Sequence, residues 1–531
     1  MTIDELRTRR RELAHRRRRM IFNNDGDELY FEGVVDRKTF LERRTTGLIG
    51  SHVDAVWYYS TYGLKLFYED GPFRRFFGYP PLPSVVENYP RFLADTGKDA
   101  LEVMIETCHA HGLEIFYSNR INDTHDSFNP KKRRYVKADH PDMLLSTEAE
   151  AGKYPFPDVR SFWAAWNFEL AEVRRMVCDH VRAICETYDI DGLDLDFLRH
   201  PVFFPPTMQC RQVEAQHLEM MTGLLREIRE MTEVVGMRRG RPIPISARCC
   251  FDVALSRSVG IDVPAWLDEG LIDILIAGRF LESTLPAKPL VDLAHCHDVP
   301  CYTFVAMSDY KEWTPEGDPK GDEDLMMYRG DALVRHDEGA DGLFIFNIFD
   351  PHSPMWWELG DPDILRTLDR SYVWDYMPSY HYRDGTLWGV SGTFPLGRAP
   401  VVVTPRGCHE RIPLIVGENL SAEAPLGQER TLTLRVHTRG LSPRQGLTVK
   451  VNGRSLPKEH RRVAGACGLP KWSAAGAGES PDGLWLEFLP DAGLFRRGTN
   501  VLGAVLDDQG AGSVQIDNVR LDVRCTAVGN E

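Results

Sequence analysis

The run Asp191-Gly192-Leu193-Asp194-Leu195-Asp196-Phe197 sets three carboxylates into a short apolar stretch. On a strand, successive side chains alternate between faces, so Asp194 and Asp196 share one side while Leu193, Leu195 and Phe197 share the other. The apolar set suits a helix layer, which turns the two acids toward an interior. Stacked carboxylates in a packed interior are costly unless they are paired or used. A used pair serves as nucleophile, general base or general acid, and cleavage of a glycosidic bond calls for two carboxyl groups. Asp196, nearer the C-terminal end, is the expected nucleophile or base, with Asp194 as its support. Asp191 reads better as a turn cap. The plainer alternative for the pair is a buried acid that only closes a turn.

A second polar cluster is Arg120-Ile121-Asn122-Asp123-Thr124-His125-Asp126. Carboxylate, amide and guanidinium groups of this kind hold and orient sugar hydroxyls. An Asx-rich turn closed by its own side chains is the structural alternative. His125 with Asp123 and Asp126 also offers metal ligands. No second histidine stands at ligand spacing, so neither a metal nor another cofactor is expected.

The partner of Asp196 must come from a different strand end. Glu282, after the sixth predicted strand, is the first choice and Asp309, after the seventh, the second; Asp25, Asp252 and Asp350 stand at other ends. Arg199, next to the acid strand, is expected to keep Asp196 ionised by proximity. Asn24, Asp25, Trp57, His200, Arg248 and Asn347 complete the expected substrate-binding set with Arg120, Asn122, Asp123, His125, Asp126 and Arg199. Trp57, Trp313, Trp356 and Trp357 follow predicted strands, where aromatic rings suit the C–H faces of sugars or fill gaps between loops.

The elements that must position these residues alternate between short apolar runs and longer amphipathic stretches. Eight strands are predicted: Arg19–Asn24, Val53–Tyr59, Leu113–Asn119, Gly192–Leu198, Ile243–Arg248, Ile272–Ala277, Pro300–Val305 and Gly342–Asn347. Helices such as Leu101–His111, stopped by Gly112, precede several of them. The pattern is that of a (β/α)8 TIM barrel, an α/β fold with its site at the C-terminal face. A doubly wound open sheet would show an early Gly-rich phosphate loop, and none is present. After about Tyr372 the period becomes two, as in Thr431–Val436, Leu447–Val451, Leu484–Phe488 and Val514–Val523. Val451-Asn452-Gly453 signals a hairpin. A small antiparallel β-sandwich domain over 373–531 is expected to follow a barrel domain over 1–372.

The strand-four run resembles two families. Asp191-x-x-Asp194-x-Asp196 is similar to the D-x-x-D-x-D-x-E strand of family-18 chitinases, but Leu198 stands where their catalytic Glu belongs. Their acetamido-assisted mechanism therefore does not carry over. A nearer likeness is to the family-10-like glycosylhydrolases, a barrel group with a D-G-[IL]-x-[LV]-D-[YF]-x-R-[YH]-P strand. Here that strand reads Asp191-Gly192-Leu193-Asp194-Leu195-Asp196-Phe197-Leu198-Arg199-His200-Pro201. The likeness extends to Asn23-Asn24-Asp25-Gly26 and to the Arg120–Asp126 segment, and it covers the barrel alone. It implies glycosidic-bond chemistry on a TIM barrel.

Composition narrows the partners. A net charge of -15 disfavours nucleic acid, whose phosphates need a basic surface. A polyanionic glycan would need a local arginine cluster. No apolar run is long enough to span a bilayer, so no membrane contact is expected. The segment Met1–Leu6 lacks the apolar core of an export signal, and Arg7–Arg19 reads as a surface helix, which favours a cytoplasmic protein. The 11 cysteines show no C-x-x-C pair, so reduced thiols are expected. The second domain is expected to bind carbohydrate, cap the barrel or support a homo-oligomer. A glycoside hydrolase acting on an oligosaccharide or glycoside is the leading expectation. A metal-dependent sugar isomerase, epimerase or lyase and a non-catalytic carbohydrate-binding protein are its rivals.

Overall fold

The computed structural model describes residues 1–59, 83–127, 135–154, 162–278, 286–305, 322–346 and 348–375 of the barrel region. Beyond it, residues 382–383, 386–387, 390–391, 401–404, 408–424, 427–441, 445–457, 461–464, 483–507 and 512–527 are described.

Eight parallel strands close on themselves. They are β1 (Met20–Asn24), β2 (Val53–Tyr58), β3 (Glu114–Arg120), β4 (Gly192–Asp196), β5 (Ile245–Cys249), β6 (Ile274–Ala277), β7 (Cys301–Val305) and β8 (Gly342–Ile345). β1 pairs with β8 through Met20↔Leu343, which completes the ring. Each predicted strand is present, shorter by a residue or more at one or both ends, and β3 and β5 also run one residue past their expected ends, to Arg120 and Cys249. β5 begins at Ile245 rather than Ile243, because Pro244 has no N–H to give a ladder. The helix Ala171–Thr187 buries Val173, Val177, Val181 and Ile184 before the chain enters β4, the stripe of a barrel helix.

The lumen is packed in layers. At its base Arg18, fully enclosed, pairs with Glu114 and lies over the rings of Phe116 and Tyr302. Gly192 leaves room for Phe116: a Cβ there would fall 2.3 Å from the ring. Trp57 stacks on Phe116 at 4.0 Å with planes 8° apart. Above them the filling turns polar, and that polar layer includes the acids of β4.

The Arg-rich N-terminus is scaffold. Its helix, Ile3–Ala14, starts with a Thr2–Glu5 capping box. Arg7 and Arg10 reach Glu233 at 2.9 and 2.7 Å, and Arg10 also meets Asp273 at 2.9 Å. No helix among the described residues is long and apolar enough to cross a membrane. No disulfide forms among the described cysteines.

Strand β9 (Arg370–Asp375) leaves the barrel and pairs antiparallel with Val514–Ala527. That long strand also pairs with Gln428–Arg439, which in turn meets Gly483–Phe488. A separate four-stranded sheet contains Cys408–Val416, Gly498–Leu506, Leu447–Val451 and Arg454–Ser455. Asn452 and Gly453 both take positive φ, 50° and 81°, as a tight hairpin requires. The antiparallel domain docks on the barrel helix Asp322–Asp337, where Gly330 lies directly against the Ser371 backbone. Beside it Arg370 and Tyr372 converge on buried Glu418, at 2.8 and 2.6 Å.

Candidate active site

The two acids of β4 point into the lumen. Asp194 is fully buried and accepts hydrogen bonds from Ser118 Oγ at 2.7 Å, from Ser246 Oγ at 2.8 Å and from the Arg248 guanidinium. Arg248 crosses the lumen to donate to Asn23 Oδ1 at 2.8 Å and lies over the Phe344 ring at 4.6 Å. Trp57 gives its indole N–H to Ser246 at 2.9 Å. Burial pushes the Asp194 carboxyl above its ordinary pKa, against the pull of Arg248. Asp194 is thus a supporting group beneath the rim, and Trp57 and Arg248 are enclosed with it.

Asp196 sits one layer higher, where β4 ends. Its Oδ1 accepts the backbone N–H of Leu198 and of Arg199, both at 3.1 Å, and its Oδ2 accepts Arg248 Nη1 at 3.2 Å. Three donors hold the carboxylate in one orientation. Arg199, expected to keep Asp196 ionised by proximity, bonds to it through its backbone N–H, while its guanidinium turns away to His125 Nε2 at 2.7 Å. Arg248, from the neighbouring strand, supplies the charge.

Above this layer a ring of charged groups crosses the mouth. Arg120, the register partner of Asp196, donates to Asp25 Oδ1 at 2.6 Å and faces Asp123 Oδ2 at 3.4 Å. Its guanidinium lies 4.1 Å over the Tyr59 ring. Asp123 Oδ1 meets His125 Nδ1 at 2.6 Å. Burial alone would raise Asp25 and Asp123. Arg120, with Arg199 and Arg44, instead keeps Asp25 below the usual carboxylate range, and the hydrogen bond from His125, with Arg120, keeps Asp123 well below it. Burial pushes His125 and His200 down, so both imidazoles are neutral at neutral pH.

The structure supplies the second histidine that sequence spacing lacked. One ligand atom each from Asp123, His125 and His200 lies within 4.8 Å of the others. The hydrogen bonds nevertheless commit both imidazole lone pairs. His125 gives its Nδ1 proton to Asp123, leaving Nε2 to accept from Arg199. His200 Nδ1 accepts the Thr124 backbone N–H at 3.1 Å, which places its proton on Nε2. A cation would have to displace a guanidinium from a group that already borders Arg120. Within the trio Asp123 and His125 share a hydrogen bond, and His200 is tied to the Thr124 backbone.

Other expected binding residues are engaged in scaffolding. Asn122 donates to the Val202 carbonyl at 2.5 Å and accepts from Trp166 N at 3.0 Å. Asn24 donates to buried Glu28 at 2.7 Å and accepts from Gly26 N at 3.0 Å, forming the turn that presents Asp25. Asp126 pairs with buried Lys137 at 3.1 Å. Trp356 packs edge-on against Phe22 at 5.4 Å, in the helix layer rather than at the mouth. Glu282, Asp309, Asn347 and Trp313 lie outside the described residues. Ser118 and Ser246 were not among the expected site residues; the alternation Ser246-Ala247-Arg248 was the signal that two polar groups of β5 share the lumen face.

No family model and no curated protein matches the chain. Solved structures similar to it include α-L-fucosidase isoenzyme 2 from Paenibacillus thiaminolyticus, with a TM-score of 0.39 and 14% identity over 66% of this chain and 49% of that one. A family-36 α-galactosidase from Geobacillus stearothermophilus gives 0.37 and 9%, over 90% of this chain and 56% of that one. A family-18 N-acetylglucosaminidase from Paenibacillus barengoltzii gives 0.33 and 12%, over 65% and 98%. The chain thus spans about half the length of the first two.

Proposed function

We propose that the barrel, taken as residues 1–372, hydrolyses a glycosidic bond in an oligosaccharide or glycoside. The observation that carries this reading is the setting of Asp196: a side-chain carboxyl group held by three donors at the C-terminal end of β4. In a retaining reaction an Asp196 oxygen attacks the anomeric carbon as the bond to the leaving oxygen breaks. That oxygen takes a proton from the acid, and water then cleaves the glycosyl ester. In an inverting reaction Asp196 takes a proton from the attacking water instead. Glu282, then Asp309, remain the proposed acids. Asp194 supports Asp196 through their shared partner Arg248. The committed lone pairs of His125 and His200 weigh against the metal-dependent isomerase, epimerase or lyase.

The test is a panel of neutral aryl glycosides in both anomeric forms, with the configuration of the first-formed product read by proton NMR. Release of a single anomer by wild type supports the reading. No release from any member, together with unchanged substrates, removes it.

A further inference from the structure

Asp25 differs from the other acids at the mouth. The side chains of Asp194, Asp196 and Asp123 are 0, 3 and 7% exposed, whereas that of Asp25 is 20% exposed. It continues the lumen-facing row of β1 beyond Asn23. The Asn24–Gly26 turn, with Gly26 at φ 63°, fixes its backbone. Among the described residues only one of its oxygens is used: Oδ1 accepts Arg120 Nη2 at 2.6 Å and Asn23 Nδ2 at 3.3 Å. Among the described residues Oδ2 has no hydrogen-bond partner. Arg120 also borders Asp196, so the open oxygen stands one guanidinium away from the proposed nucleophile.

An anchored carboxylate with one open oxygen over a closed lumen is an acceptor awaiting a donor. Holding the charge costs nothing further on binding, because Arg120 already compensates it. We infer that Asp25 accepts a hydroxyl of the sugar unit seated over the lumen and so selects a neutral, hydroxyl-bearing sugar there over a uronate or sulfated one. An anionic substituent set against Oδ2 meets like charge, and the nearest guanidinium is already engaged. Persistent ionisation agrees with this role and argues against Asp25 as the general acid.

This inference rests on the glycosidase reading for turnover but not for binding. Full-length wild type, Asp25→Asn and Asp25→Ala are given the neutral glycoside that wild type cleaves fastest, its 2-, 3-, 4- and 6-deoxy analogues and the matching uronide. A site built to bond a hydroxyl penalises its loss, so Asp25→Ala lowers kcat/KM about 10-fold or more on the parent sugar. On one deoxy analogue the variant and wild type become equal, and Asp25→Asn narrows the gap between parent and uronide. Equal losses on every analogue overturn the role. Saturation-transfer NMR on the free sugars reads binding without turnover. A wild type that cleaves nothing yet loses one contact in Asp25→Ala removes the glycosidase reading and keeps Asp25. Identical saturation in both proteins, or none in either, removes Asp25.

Discussion

Arg248 of β5 lies between Asp194 and Asp196 of β4, bonded to one oxygen of each, and is itself 1% exposed. A single guanidinium thereby offsets two stacked acids inside a barrel. Removing one partner of a buried ion pair leaves charge without compensation and costs about 3–5 kcal/mol. Arg248→Met is expected to lower the denaturant midpoint at pH 7.5, with a smaller loss at lower pH, where Asp194, pushed up by burial, can take a proton. Equal losses at both pH values would show that Arg248 acts by packing alone.

His200 supplies a pH effect of known sign. Burial, with Arg199 and His125 adding to it, depresses its pKa well below the ordinary value near 6.5. The unfolded chain takes up that proton first, so stability is full above about pH 6.5 and is lost as pH falls through that value. His200 has φ 63°, a conformation asparagine tolerates. His200→Asn should therefore lose less stability than wild type between pH 7.5 and 5, measured by urea unfolding. A parallel pair of curves contradicts the buried, neutral assignment.

Asp331 has the opposite sign. On the helix Asp322–Asp337 it is buried, meets Arg335 at 3.0 Å and is pushed up to about 7 by burial, with Glu338 adding to the shift. Its folded pKa exceeds the unfolded value near 4, so its contribution is complete below about pH 4 and lost as pH rises to about 7. Asp331→Asn should raise the Tm most at pH 8, with the gain shrinking steadily toward pH 5. A gain that does not vary with pH removes the titration account.

The committed lone pairs of His125 and His200 predict a null metal response. Zinc added to the purified protein should leave the Tm unchanged, and chelation should leave any hydrolytic activity intact. One tightly held zinc per chain, lost together with activity, contradicts the lone-pair assignment.

The barrel was legible because each strand carries its own apolar run between glycine and acid turns, and the closing hydrogen bonds shift only the ends. The inward face of β4 was legible from Leu193, Leu195 and Phe197, whose burial in the helix layer leaves Asp194 and Asp196 the lumen. Adjacency in space was not. Arg199 follows Asp196 in the chain, but the turn after β4 points its side chain to His125, while Arg248 arrives from the next strand. His125 and His200 are far apart in sequence and 5.0 Å apart as rings. Asn122 and Asn24 look the same in sequence whether they hold a sugar or a turn; in this fold backbone groups engage both their side-chain amides.

The central claim is that the Asp196 carboxylate performs the bond-breaking step. The measurement is kcat of Asp196→Asn against wild type on the glycoside that wild type cleaves, with folding checked by circular dichroism. The substitution preserves shape and removes the charge, so kcat should fall at least about 1,000-fold while the fold persists. A folded Asp196→Asn protein that turns over the same glycoside at the wild-type rate contradicts the account.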